Sequence, residues 1–131
     1  MDKRDAFVSY SSRNSTWVTG TLVPRLEDRG FTILIDTRDF RAGAFGIDEM
    51  ERCVTDARRV LVVLTPEYID SEWTRFENIM AQSLDPAAIR RKVVPVLLES
   101  CELPLRLRIL HHRDLRQSRE EEWEGLFRDL I

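Results

Sequence analysis

Residues 60–64 read Val-Leu-Val-Val-Leu, a run with no polar side chain and three β-branched residues. A strand that faces water on one side alternates apolar and polar residues. A run without alternation is a strand covered on both faces, which places it inside a parallel sheet flanked by helices. The rest of the chain supplies the partners. Residues 5–10, Asp-Ala-Phe-Val-Ser-Tyr, form a short apolar strand that stops at the polar loop 11–15. Val18, Leu22 and Leu26 then mark a helix over 16–29, which Pro24 bends or restricts to a straight part on one side, and which Gly30 stops. A strand at 31–35, a polar loop with two glycines at 36–46 and a helix at 47–57 precede the central run.

Beyond it, Thr65-Pro66 breaks the strand, and Asp70 or Ser71 caps a third helix that ends before Pro86. The run 93–98 is a fourth strand. Its Pro95 lacks a ladder donor, so this strand lies near an edge or carries a bulge. The stretch around 110–115 reads as a short strand or a loop. Ser118-Arg-Glu-Glu121 spells a capping box before a last helix bearing Trp123, Leu126, Phe127 and Leu130. The fold class is therefore α/β: a flavodoxin-like three-layer sandwich, with a central parallel five-stranded sheet and helices on both faces. The 131 residues fit one domain, 1–131. In such folds ligands sit beyond the C-terminal strand ends, which here are residues 10–12, 36–38 and 64–66.

Composition removes several function classes. A net charge of −3 argues against a nucleic-acid binder. No run approaches the ~18 apolar residues of a membrane span, and the opening Met-Asp-Lys-Arg-Asp is too charged for a signal peptide. Cys53 and Cys101 make neither a disulfide framework nor metal-ligand spacing, so they read as reduced thiols in a cytoplasmic protein. Neither GxGxxG nor a P-loop occurs.

One carboxylate stands out. At about 100° per residue, Trp73, Phe76, Met80 and Leu84 share one arc of the third helix, and Glu77 falls inside it. A charge pointed at packed hydrocarbon costs several kcal/mol, roughly, unless something compensates. Glu77 is thus the chain's candidate for chemistry.

Four segments now coincide with a known pattern. The strand 5–10 resembles the first box of the TIR (Toll/interleukin-1 receptor homology) domain. Arg38-Asp39-Phe40-Arg41-Ala42-Gly43 resembles its second box. Leu64-Thr-Pro-Glu-Tyr68, with Ser71-Glu-Trp73 and Glu77, resembles the third strand and helix of the bacterial-type NAD+-cleaving branch. Two departures exist. Ala42 stands where many adaptors carry proline, and His111-His112-Arg113-Asp114 replaces a Phe-Trp pair.

The resemblance implies an NAD+ hydrolase that cleaves the nicotinamide–ribose bond, acting as a signalling or defence effector activated by self-association. It makes Glu77 the catalytic carboxylate, and Tyr10, Ser11, Ser12, Phe45 and Trp73 the substrate-binding residues. Arg38, Asp39, Phe40, Arg41 and Gly43 belong to its assembly loop. NAD+ is the substrate, with no cofactor and no metal. The partners are other TIR domains, in a homo-oligomer or filament, with no nucleic acid or membrane. The chemistry suits these residues: nicotinamide leaves as a neutral molecule from a cationic bond, so one carboxylate beside the developing oxocarbenium ion suffices. The alternative is an inactive scaffold working through TIR–TIR contacts, with Glu77 as ion-pair partner of Arg38 or Arg41.

Other candidates have simpler readings. Asp36 and Asp39 as a metal or phospho-acceptor pair would need an acidic pair after the first strand, where Tyr10-Ser-Ser12 stands. His111-His112 point opposite ways if on a strand. Arg58-Arg59 and Arg90-Arg91-Lys92 read as solvated element ends.

Overall fold

Successive residues of β3 (Ala57–Leu64) point to opposite sides of the sheet, and both sides are dry. Leu61 and Val63 pack with Val18, Leu22, Leu26, Trp123 and Leu126; Val60, Val62 and Leu64 pack with Cys53, Tyr68, Phe76 and Leu107. In the computed structural model, which describes residues 3–43, 46–83 and 85–131, this strand is the centre of a five-stranded, all-parallel sheet. Its order is β2-β1-β3-β4-β5. β1 is Arg4–Ser9, β2 Ile33–Leu34, β4 Val93–Leu97 and β5 Arg113–Asp114. The expected flavodoxin-like α/β sandwich is therefore what forms.

The helices are α1 (residues 12–28), α2 (Asp36–Asp39), α3 (Gly46–Asp56), α4 (residues 66–82), α5 (Pro86–Lys92), α6 (Leu105–Arg108) and α7 (Glu120–Asp129). α1 and α7 cover one face of the sheet; α3, α4, α5 and α6 supply the other. No helix among the described residues is long and apolar enough to cross a membrane.

Several expectations are corrected. Pro24 lies within α1, which runs on through it to Asp28. It follows a wide turn over Val18–Leu22, closed by Val23 N–H donating to the Val18 carbonyl, and this looser winding accommodates a residue that lacks an N–H. The segment 36–46 is not all loop. One helical turn forms at its start because the Ile35 N–H donates to Asp39 Oδ2 (2.7 Å) while the Asp39 N–H returns to the Ile35 carbonyl (2.8 Å).

The third helix begins earlier than its acidic residues suggest. Thr65 caps it, its Oγ1 accepting from Tyr68 N–H at 3.2 Å, and Asp70 and Ser71 lie inside a second wide turn, Tyr68–Glu72. The capping box at 118–121 does not form: Ser118 Oγ instead accepts from the Trp123 indole at 2.9 Å. α5 went unread although Asp85-Pro86 starts it in the expected way, with Asp85 Oδ1 accepting from Ala88 N–H at 3.1 Å. Pro95 sits one strand in from the edge, as its missing donor requires: β5 begins opposite Val96 and leaves Pro95 outside its pairing.

Candidate functional site

The chain runs from β1 outward to β2, then returns to β3 on the other side of β1. This reversal opens a crevice beyond the C-terminal ends of the strands. It holds a cleft of about 260 Å³ lined by Ser9 and Tyr10 from β1 and its end, Asp36 and Phe40 after β2, and Glu72 and Arg75 from α4. Tyr10 is nearly buried, and its hydroxyl donates to Asp36 Oδ1 at 2.6 Å. Burial first, and the Asp36 carboxylate second, push the phenol up to about 12. Tyr10 therefore stays protonated at neutral pH and remains a donor. Below it, the Ser9 and Tyr68 hydroxyls share a hydrogen bond of 2.9 Å.

Asp36 is the cleft residue that sequence reasoning passed over as loop. Its signal was positional: it follows β2 at the same sheet edge as Tyr10. Asp36 and Asp39 do not form a metal pair, since Asp36 meets Tyr10 and Asp39 caps the Ile35 N–H.

The other expected site residues are dispersed. Ser11 is buried, and its Oγ accepts from Arg13 N–H at 3.3 Å; Ser12 is exposed at the start of α1. Both shape the turn and neither lines the cleft. Phe40 lines the cleft and stacks on Phe7 with centroids 6.4 Å apart. Arg38 pairs with Glu27 at 3.1 Å and donates to the Ile33 carbonyl, bracing the loop. Gly43 takes a left-handed φ of 83°, which a glycine permits. Phe45 and Leu84 lie outside the described residues.

Glu77 and Trp73 stand on α4 but not in that cleft. Trp73 is 3% exposed and packs on Phe76, ring centroids 5.6 Å apart. It lines a second, mostly apolar cavity of about 300 Å³ with Met80, Arg106 and Leu110, and its indole N–H is buried without a partner. Glu77 is 32% exposed, and its nearest cation is Arg106 Nη1 at 3.9 Å, on a side chain 64% exposed. The buried stripe of α4 is Trp73, Phe76, Ile79 and Met80. Ile79 shifts its centre away from Glu77, which lands on the flank, while Glu72 and Arg75 face the cleft.

The carboxylate that is truly buried is Glu49, 1% exposed. It accepts from Arg41 N–H (3.1 Å), Arg41 Nε (2.6 Å) and Arg52 Nε (2.6 Å), and these guanidinium groups hold it down at about 2. It pins the end of the 36–43 segment to α3. Neither Arg38 nor Arg41 pairs with Glu77; both serve their own loop.

The family model for the TIR domain matches residues 6–131, and the chain belongs to this family. Toll-like receptor 4 of Rattus norvegicus is 34% identical over 124 residues, covering 92% of this chain and 15% of the receptor. The crystal structure of the TIR domain of the Toll-related receptor TRR-2 from Hydra magnipapillata superposes with a TM-score of 0.82 at 24% identity, over 97% of this chain and 98% of that one. A metazoan TIR-STING receptor from C. gigas gives 0.71 at 28% identity, over 95% of this chain and 40% of that one. The Toll-like receptors matched here are animal proteins, and the chain spans only a small fraction of their length. The domain is thus of the kind found in signalling receptors.

Proposed function

We propose that this domain cleaves NAD+ between nicotinamide and ribose, in the cytoplasm, as the effector of a signalling or defence protein, and that self-association switches it on. The observation that carries the reading is the state of Glu77. It is a carboxylate one helical turn after a buried tryptophan, partly open to solvent, with a single long contact to an exposed surface arginine. Ion pairs this exposed are worth at most about 1 kcal/mol, so the cationic nicotinamide end of the substrate can displace Arg106.

Nicotinamide departs without protonation, and the ribosyl cation left behind needs a negative group near its anomeric carbon. Glu77 supplies that charge, either stabilising the cation or trapping it covalently. The Tyr10 proton is held by Asp36, so both groups meet the ribose hydroxyls as acceptors, through the phenol oxygen and the carboxylate. At about 260 Å³ the cleft is small for a ligand site, which run from about 300 Å³ upward. It suits part of the dinucleotide.

Glu77 and Tyr10 line no common cavity in the single chain. On this reading, assembly through the loop bearing Arg38, Asp39, Phe40, Arg41, Gly43 and Phe45 brings them to bear on one substrate, and the isolated domain is nearly silent. A second reading has its own support. Toll-like receptor 4 matches nearly the whole chain, and a TIR domain that acts only by contact with other TIR domains needs no carboxylate at work. There Glu77 is simply a partner of Arg106.

Nicotinamide release from NAD+ by concentrated protein separates the two. The enzymatic reading expects turnover by the wild type and its loss in Glu77→Ala and Glu77→Gln, with Arg106→Ala retaining it. If wild type and both variants release nothing even when crowded or tethered into oligomers, the scaffold reading stands.

A further inference from the structure

At the pole of the sheet opposite the Tyr10 cleft, the N-terminal ends of β3, β4 and β5 surround a second polar depression of about 370 Å³. Arg59, Arg91, His111 and His112 line it. Its carboxylate, Asp129, is already engaged by the fork of Arg113, at 2.6 and 2.9 Å. Arg59 reaches only backbone carbonyls, those of Asp129 and Arg58, each at 3.4 Å. Among the described residues, no carboxylate pairs with Arg59 or Arg91. Two arginines with no carboxylate partner among the described residues meet here in a chain of net charge −3, so general basicity does not explain them. Val94 and Pro95 supply an apolar wall.

We infer that this depression binds a phosphorylated small molecule of mononucleotide size. Guanidinium forks match phosphate oxygens geometrically, and imidazoles add further donors. A flat ring has Val94 and Pro95 to lie against. The depression is concave and local, which favours a small anion over an extended polyanion. It lies at the far end of the strands from Tyr10 and does not depend on NAD+ cleavage.

The chain's two histidines both line this depression, so their imidazole proton signals report occupancy in an NMR titration of tag-free protein. The probes are inorganic phosphate and AMP, which carry comparable phosphate charge and differ in the ring. Both should move both signals saturably, with AMP binding tighter. Arg91→Glu and Arg59→Gln should each weaken binding roughly tenfold. Arg119→Glu, at the opposite end of α7, should leave it unchanged. Signals that do not move, shifts that never saturate, or equal affinity in Arg91→Glu and wild type would overturn the site. AMP no tighter than phosphate would overturn its assignment to a mononucleotide.

Discussion

At 1% exposure, Glu49 retains its charge because Arg41 and Arg52 both donate to it. Its carboxyl lies at about 2 in the folded chain against an ordinary 4.5. A depressed folded value means stability that is complete above the ordinary value and lost as pH falls toward 2. Thermal midpoints followed by circular dichroism should therefore drop between about pH 4.5 and pH 2. Glu49→Gln should be less stable at neutral pH and show a flatter decline across that window. Tyr10 allows a second test at this scale. Removing its hydroxyl leaves Asp36 with only the Thr37 N–H, at 2.7 Å, so Tyr10→Phe should cost about 1 kcal/mol in denaturant unfolding. Which glutamate is buried was not legible from a single helix. Glu77 shares an arc with Trp73 and Met80, and Glu49 lies beside Met50 and Cys53. The difference lies in two arginines, one of them eight residues away in the preceding loop.

At the scale of elements, the strands were legible because each is a short apolar run between breakers, and β3 announced its central place by lacking alternation. α5 and α6 escaped because 7 and 4 residues are too few to display a helical period. Their local start signals were the better guide. Asp85 caps α5 through the Ala88 N–H, so Asp85→Ala should lower stability by about 1 kcal/mol in urea unfolding. α4 is the consequential case. Its wide turn at Tyr68–Glu72 changes the winding just before Trp73, and Ile79 widens the buried stripe. Together they determine which side chains face the cleft, and neither is visible in a pattern that assumes uniform winding.

At the scale of the whole molecule, the parallel sheet and the position of the crevice followed from alternating strands and helices, and the TIR family from four motifs in register. The identity of the cleft residues followed only in part. Tyr10 is there, Phe40 of the expected assembly loop and Asp36 join it, and Glu77 stands on the far flank of α4 beside Arg106. Motif spacing specifies position along an element and says little about whether a side chain reaches the cleft beside that element. That separation gives the proposed activity a distinctive dependence on concentration: nicotinamide released per molecule should rise as the domain is concentrated or tethered into oligomers. The most direct measurement is nicotinamide release by the domain fused to a ring-forming scaffold, wild type beside Glu77→Gln, with equal melting temperatures confirming intact folds. We expect many turnovers from the wild-type ring and roughly 10²–10³-fold fewer from the variant, the loss typical of removing a charge-stabilising group. Equal release from the two rings, or none from either, would contradict catalysis by Glu77.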